Sequence, residues 1–433
     1  MLRATDGFRL KLISTRSAWA FADQGVVSLG NFLTSLLLAR QLRIAEYGTY
    51  VLILSSILIA NSLHYALVTL PLVIKASSLS GSEQRKYATG SAWLTGVSSF
   101  LTIAIVMVSA VSLGRPRVVV IACLAAVAWQ LQETMRRTLI AQLRYSTVIW
   151  GDTVSYLGQA TILFAVAHAR LLSIEFAFLA MAATSLLAAL IQAIQVRLTS
   201  LSFSGLVSNA REFWTLARWL LPAALIGPLT SQAYPWILTW THGRDHAANF
   251  QALINVLGVT HPLLLSVSAL VIPAVAAAKG TSRCSNARRL AWSYTWQFEA
   301  LVAPYLIILL IWPGAVLRLY YGASSPFLSL LTPLRLMAVT YFFAFPMTVW
   351  AAALCGVERV RAGFRVQVWG ATTTAVIGVP ACMLFGVSGA ASVDAISRAV
   401  RAIVSYVELA PEREPPPKNG VTSDGNYPME ELR

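Results

Sequence analysis

Apolar runs about as long as a bilayer is thick recur from one end of the chain to the other. They occupy roughly residues 18–39, 49–73, 88–113, 117–139, 147–169, 173–196, 214–241, 247–277, 292–313, 327–354, 364–385 and 387–407. About 20 apolar residues in a helix cross the hydrocarbon core. Composition agrees: 57% of the residues are hydrophobic and 12% are charged, against about 25% charged in soluble domains. The pattern predicts an all-α integral membrane protein with twelve transmembrane helices. The last two runs meet at Phe385-Gly386-Val387-Ser388-Gly389, which leaves room only for a tight turn.

The formal net charge is +15. The basic residues sit in short loops between apolar runs and form no extended basic face, so nucleic acid is excluded as a partner. If the N-terminus and every second loop are placed in the cytoplasm, those segments hold 20 Lys and Arg, and the opposite loops hold 7. Positive residues favour the cytoplasmic side. The expectation is a multi-pass protein of the cell (cytoplasmic or inner) membrane with both termini cytoplasmic. Arg3, Arg9, Lys11 and Arg16 precede the first run as in a signal peptide. That run is long, polar-interrupted and lacks a small-residue cleavage site, so it reads as an uncleaved span. From Glu408 the chain is charged, carries Pro415-Pro416-Pro417 and has no apolar face, which predicts a disordered tail.

The two halves of the chain resemble each other. Leu33-Thr34-Ser35 in the first run matches Leu229-Thr230-Ser231 in the seventh, 196 residues later. Pro71 near the end of the second run matches Pro273 near the end of the eighth, 202 residues later, and each precedes a basic loop. Even numbers of spans per half give a parallel repeat. The expected organisation is therefore a cytoplasmic N-terminus at 1–17, a six-helix bundle at 18–200, a cytoplasmic linker at 201–213, a second six-helix bundle at 214–407 and a tail at 408–433. The two bundles enclose a central cavity.

No phosphate-binding loop, zinc-protease motif or nucleophile elbow is present, so no catalytic residues, metal or cofactors are assigned. Cys123, Cys284, Cys355 and Cys382 lie far apart, without ligand spacing. His242 and His246 are four apart but flank Gly243-Arg244-Asp245 between spans, and no metal is assigned to them.

Polar groups inside spans are costly and mark transport paths. Asp23, Gln24 and Asn31 interrupt the first run, Glu299 lies in the ninth and Arg335 in the tenth. They are the candidates for lining a cavity, binding a charged headgroup or relaying protons. Asp394, Arg398 and Arg401 share one face of the last helix. The pairing of Asp394 with Arg398, with the arginines reaching the cytoplasmic surface, is the simpler reading of that face. Pro222, Pro228 and Pro235 all fall in the seventh run and are candidates for gating kinks. Prolines are also simply tolerated in membrane helices.

Asn31-Phe32-Leu33-Thr34-Ser35-Leu36-Leu37-Leu38-Ala39-Arg40-Gln41-Leu42, followed by Tyr47-Gly48-Thr49-Tyr50, resembles the start of the polysaccharide-export branch of the multidrug/oligosaccharidyl-lipid/polysaccharide exporter superfamily. Gln130 to Tyr145, Leu317-Arg318-Leu319-Tyr320-Tyr321-Gly322 and Gly386-Val387-Ser388-Gly389-Ala390-Ala391 are similar to other segments of that branch, so the resemblance spans about residues 15–407. Twelve spans fit its O-antigen and MATE members, whereas the lipid II flippase has two more. The resemblance implies a flippase for a polyprenyl-diphosphate-linked oligosaccharide. Membrane lipids, a polysaccharide polymerase and glycosyltransferases are the implied partners, and Arg335 is the cation for the diphosphate. A MATE-like exporter of organic cations, using Asp23 and Glu299, and a non-transporting scaffold of a glycan assembly complex are the alternatives.

Overall fold

The computed structural model describes residues 15–77, 79, 81–198, 206–277 and 283–410. The expected N-terminal segment before Thr15, part of the linker and the tail beyond Ala410 lie outside the described residues. In chain order the helices are α1 (Thr15–Gln41), α2 (Ile44–His64), α3 (Leu70–Ala76), α4 (Gly81–Ser112), α5 (Pro116–Ala141), α6 (Tyr145–Asp152), α7 (Gly158–His168) and α8 (Ile174–Val196). The second half continues with α9 (Leu206–His242), α10 (Arg244–Leu257), α11 (His261–Ala277), α12 (Arg283–Ile311), α13 (Pro313–Tyr321), α14 (Leu331–Gly356), α15 (Val360–Thr373) and α16 (Val379–Glu408). No strand occurs among the described residues.

Eight helical stretches are long and apolar enough to cross a membrane, among them Ile44–Ala76, Arg244–Ala277 and Arg361–Glu408. This is a multi-pass membrane protein. The last stretch is 48 residues long and is a hairpin. Gly386 has φ +56°, a left-handed value inside an otherwise helical segment, which an L side chain resists. The chain reverses there, and Arg359 at the start of α15 donates to the carbonyl oxygens of Glu408 and Ala410 at the end of α16. Three other long helical stretches are α1, residues 145–168 and α9; each contributes polar residues to the site described below, around a hub on α5.

Packing is heaviest within each half of the chain: α5 on α8 and α4, and α14 on α16, α12 and α11. The halves meet mainly where α2 packs on α9 and α10. Three single turns widen to π geometry: Tyr65–Thr69 between α2 and α3, Thr153–Leu157 between α6 and α7, and Thr374–Gly378 between α15 and α16. Such turns release a backbone register and recur at functional positions.

Candidate functional site: a buried ion network opening onto a cavity between the halves

Arg136 is the hub of the first half. It lies in the last turns of α5 and is 7% exposed. Sequence reading placed it with the loop cations. The structure instead buries it, because α5 runs on to Ala141 and carries its polar residues inward. Arg136 Nη2 is 2.8 Å from Asp23 Oδ2, its Nε meets Asp152 Oδ2, and its Nη1 is 3.6 Å from Glu133 Oε2. Asp23 comes from α1 and Asp152 from α6, so one guanidinium ties three helices together. A planar fork of donors suits this better than a lysine would.

The rest of the polar shell is equally specific. Gln192 of α8 donates to Asp152 Oδ1 at 3.0 Å, and Ser155 donates to Gln132 Oε1 at 2.7 Å. Gly151 makes room for this. A Cβ there would lie 2.4 Å from the Gln192 side-chain nitrogen. Gly30 does the same for α1, since a Cβ would meet the Tyr156 backbone at 2.6 Å. The two glycines let α1 and α8 approach the widened turn after Asp152. The network is not fully closed: Asp23 Oδ1 is buried without a hydrogen-bond partner. Buried charges are stable only when paired and hydrogen-bonded, and here the described carboxylates outnumber the arginines.

Glu133 links this network to open space. Its Oε1 is 2.5 Å from Arg137 Nε, one helical turn along α5. Arg137 in turn lies 5.6 Å over the Tyr65 ring. Glu133, Arg137 and Tyr65 line a cavity of about 430 Å³ together with Asn61, Pro228 and Gln232. The first four come from the first half of the chain and the last two from α9, so the cavity lies between the halves. Asn61 Oδ1 has no partner.

Both ends of the seam are fastened. At the end carrying the α1–α2 hairpin, Arg40 donates to the carbonyls of Tyr320 and Leu319, the latter at 2.7 Å, and Arg244 donates to Leu113 O at 2.8 Å. Deeper in, Asn255 Nδ2 donates to Tyr47 Oη at 2.9 Å, Ser35 donates to Asn255 Oδ1 at 2.9 Å, and Trp236 donates to Ser55 at 2.9 Å. Gly48 is what allows this closeness: a Cβ on it would lie 2.1 Å from the Arg244 carbonyl oxygen. The Tyr47-Gly48 pair singled out in the sequence is thus part of the seal. At the opposite, basic end, Glu212 of α9 meets Lys75 at 2.5 Å and accepts from Tyr87 Oη at 2.5 Å.

No family model and no curated protein matches the sequence. Solved structures do match the fold. The lipid II flippase MurJ, in an inward closed conformation, superposes with a TM-score of 0.72 at 11% identity, over 90% of this chain and 87% of that one. An inward-facing MATE family multidrug transporter gives 0.64 at 13% identity, over 88% and 93%. A MOP superfamily transporter from Pyrococcus furiosus, described as having a binding pocket of reverse polarity, gives 0.63 at 14%, over 91% and 95%. The chain has the fold of the MOP transporter superfamily.

Within this MOP fold the sequence-predicted residues fall in different places. Asp23 is in the buried network, 3% exposed. Gln24 beside it is half-buried and Asn31 is exposed. Arg335 is exposed in the first turns of α14, with Nε donating to Leu310 O at 2.9 Å. Glu299 is half-buried in α12, and both its carboxylate oxygens are buried without a partner. Pro228 lines the cavity, Pro235 is buried and Pro222 is exposed; all three lie inside the continuous helix α9. Asp394 and Arg398 do pair, at 2.9 Å. Sequence reading missed Glu133, Arg136, Arg137 and Asp152 as a site. The available signal was the polar cluster Gln130-Leu131-Gln132-Glu133-Thr134-Met135-Arg136-Arg137 at the end of an apolar run, with a lone aspartate in the next.

Proposed function

We propose that the protein is a flippase that carries a polyprenyl-diphosphate-linked oligosaccharide from the cytoplasmic to the outer leaflet of the cell membrane. Twelve passes in two six-helix halves would rock about the seam, with the basic end cytoplasmic. The observation that carries this reading is the cavity between the halves, walled by Glu133 and Arg137 and fastened at both ends. A scaffold would have no need of a polar hollow at its seam. A volume near 430 Å³ is that of a small-ligand pocket, too small for a glycan. The halves would therefore have to part further, by releasing Glu212 or the Tyr47–Asn255 contact, before substrate enters. Arg137, freed from Glu133, supplies a cation at the cavity wall for a diphosphate, a role proposed here in preference to Arg335 because Arg335 is exposed and is not among the residues lining this cavity.

Asp23, with Gln24 beside it, is proposed to take part in coupling to an ion gradient. An acid with an unpartnered oxygen, in a network with more carboxylates than arginines, can hold an extra proton or cation. That same acidic surplus favours the second reading, a MATE-like cation-coupled exporter of small organic molecules. The two are separated in proteoliposomes. Translocation of a labelled polyprenyl-diphosphate oligosaccharide that Arg137→Ala abolishes supports the flippase. Efflux of a cationic dye that Glu133→Gln abolishes, with no lipid translocation, supports the exporter.

A further inference from the structure

Away from the seam, three rings from three helices of the second half meet at its basic end. Trp292 of α12 packs edge to face on Trp350 of α14, with centroids 5.4 Å apart. Tyr406 of α16 closes the group, 5.0 Å from Trp350 and 6.3 Å from Trp292. Edge-to-face packing at these distances favours a fixed arrangement of the rings. Trp350 is buried, while Trp292 and Tyr406 reach the surface. Arg288, one helical turn before Trp292, places its guanidinium carbon 4.0 Å from the centroid of the Tyr406 ring. Residues from α12, α14 and α16 thus combine to hold one cation.

That cation has no anion of its own. Among the described residues no carboxylate and no hydrogen-bond acceptor meets Arg288, and the Tyr406 ring is its partner. Glu408, two residues beyond Tyr406, is taken by Arg365 at 2.6 Å. A guanidinium over a ring uses its face, and its five N–H donors lie in its own plane and stay available. Tyr406 therefore fixes where the charge sits without satisfying its hydrogen bonds. Arg289 beside it is exposed and adds a second positive charge. Further along the same two helices, Trp296, Ile403 and Val407 are exposed apolar residues. A positioned, unsatisfied cation thus stands next to apolar surface on helices that cross the membrane.

We propose that Arg288, held by Tyr406 and the two tryptophans, binds the phosphate of an anionic phospholipid from the leaflet at the basic end. One molecule of that kind matches both parts of the surface. Its phosphate oxygens accept from the free edge of the guanidinium, which suits a planar fork of donors. Its acyl chains lie along Trp296, Ile403 and Val407. Tryptophan and tyrosine favour the level of the headgroups, and basic groups at helix ends attract anionic lipid. A free phosphate ion would meet the arginine and leave the apolar flank uncovered. No residue of α12, α14 or α16 lines the Glu133–Arg137 cavity. The site is separate from it and holds whatever the cargo is.

The test uses the full-length protein, delipidated in a neutral detergent. Phosphatidylglycerol and phosphatidylcholine with the same acyl chains are titrated separately, and bound lipid is counted by native mass spectrometry. Phosphatidylglycerol should bind at least about tenfold more tightly, the low end for a hydrogen bond to a charged group. Arg288→Gln should abolish that preference. Arg289→Gln, which removes the same charge one residue away, should leave most of it. A second arm needs no variant: a phosphatidylglycerol with a photoreactive group near its headgroup is cross-linked to the parent protein. Label should appear on α12 and α16 near Trp292 and Tyr406, and unlabelled phosphatidylglycerol should displace it while inorganic phosphate does not. Equal affinity for the two lipids, equal losses from the two arginine variants, label confined to other helices, or displacement by inorganic phosphate would overturn the proposal.

Discussion

In the first half of the molecule one deeply buried arginine, Arg136, sits among three carboxylates, Asp23, Asp152 and Glu133. In the second half one carboxylate, Asp394, sits beside Arg398, with Arg401 one turn further on and its Nε buried without a partner. The settings are alike. Each cluster adjoins a π turn, Thr153–Leu157 in one half and Thr374–Gly378 in the other. Each is trimmed by hydroxyls, Ser155 with Gln132 in the first, Thr374 with Ser397 and Tyr234 in the second. Glycines admit the long side chains: Gly151 beside Gln192, and Gly370, where a Cβ would lie 1.8 Å from Arg401 Nε. The sign of the charge is what differs. The first cluster carries an acid surplus and the second a basic one.

The sharpest break of this comparison is Arg136→Met. It strands Asp23 and Asp152 in a dry interior and should cost about 3–5 kcal/mol, read as a large drop in melting temperature or loss of the folded protein from the membrane. Gly48→Val acts on the seam instead. It drives a side chain into the Arg244 backbone, costs about 1–3 kcal/mol, and should raise labelling of a Ser35→Cys probe from the outer face. Asp394→Asn should cost about 1–2 kcal/mol, less than Arg136→Met, because the pair is part-exposed and Arg398 keeps its place 5.1 Å over the Tyr341 ring. Equal losses for the two would erase the contrast between a deeply buried cluster and a part-exposed one. Glu212→Gln is the mildest. Its partner Lys75 is 36% exposed, so stability should change by about 0.2–1 kcal/mol, while access to the cavity from the basic end increases.

Much of this architecture is visible in the chain before it folds. Every apolar run became helix, the tight turn falls at Gly386, and Asp394 meets Arg398 as the i, i+4 spacing implies. Asp23 announced itself because a lone acid in an apolar run has few acceptable fates. Its partner did not. Arg136 sits at the end of an apolar run, where cations usually belong to a loop, and only the extra helical turns of α5 carry it inward. Arg335 misleads in the opposite way. The apolar run begins before the helix does, so a residue that looks mid-span lies in the first turns of α14. The cavity was equally hidden, since Glu133, Arg137 and Gln232 meet only when the two halves are juxtaposed.

The central claim is that the halves move against each other around the Glu133–Arg137 cavity. Spin labels report this directly, with Cys123, Cys284, Cys355 and Cys382 replaced by serine in a protein that retains its melting temperature. One pair, at Arg43 and Ser324, spans the Arg40 end; the other, at Lys86 and Arg361, spans the basic end; all four are exposed. In liposomes, adding a polyprenyl-diphosphate oligosaccharide should shift the two distance distributions in opposite directions, one lengthening as the other shortens. A single, unchanged distance at both ends, with or without the lipid, would contradict the account.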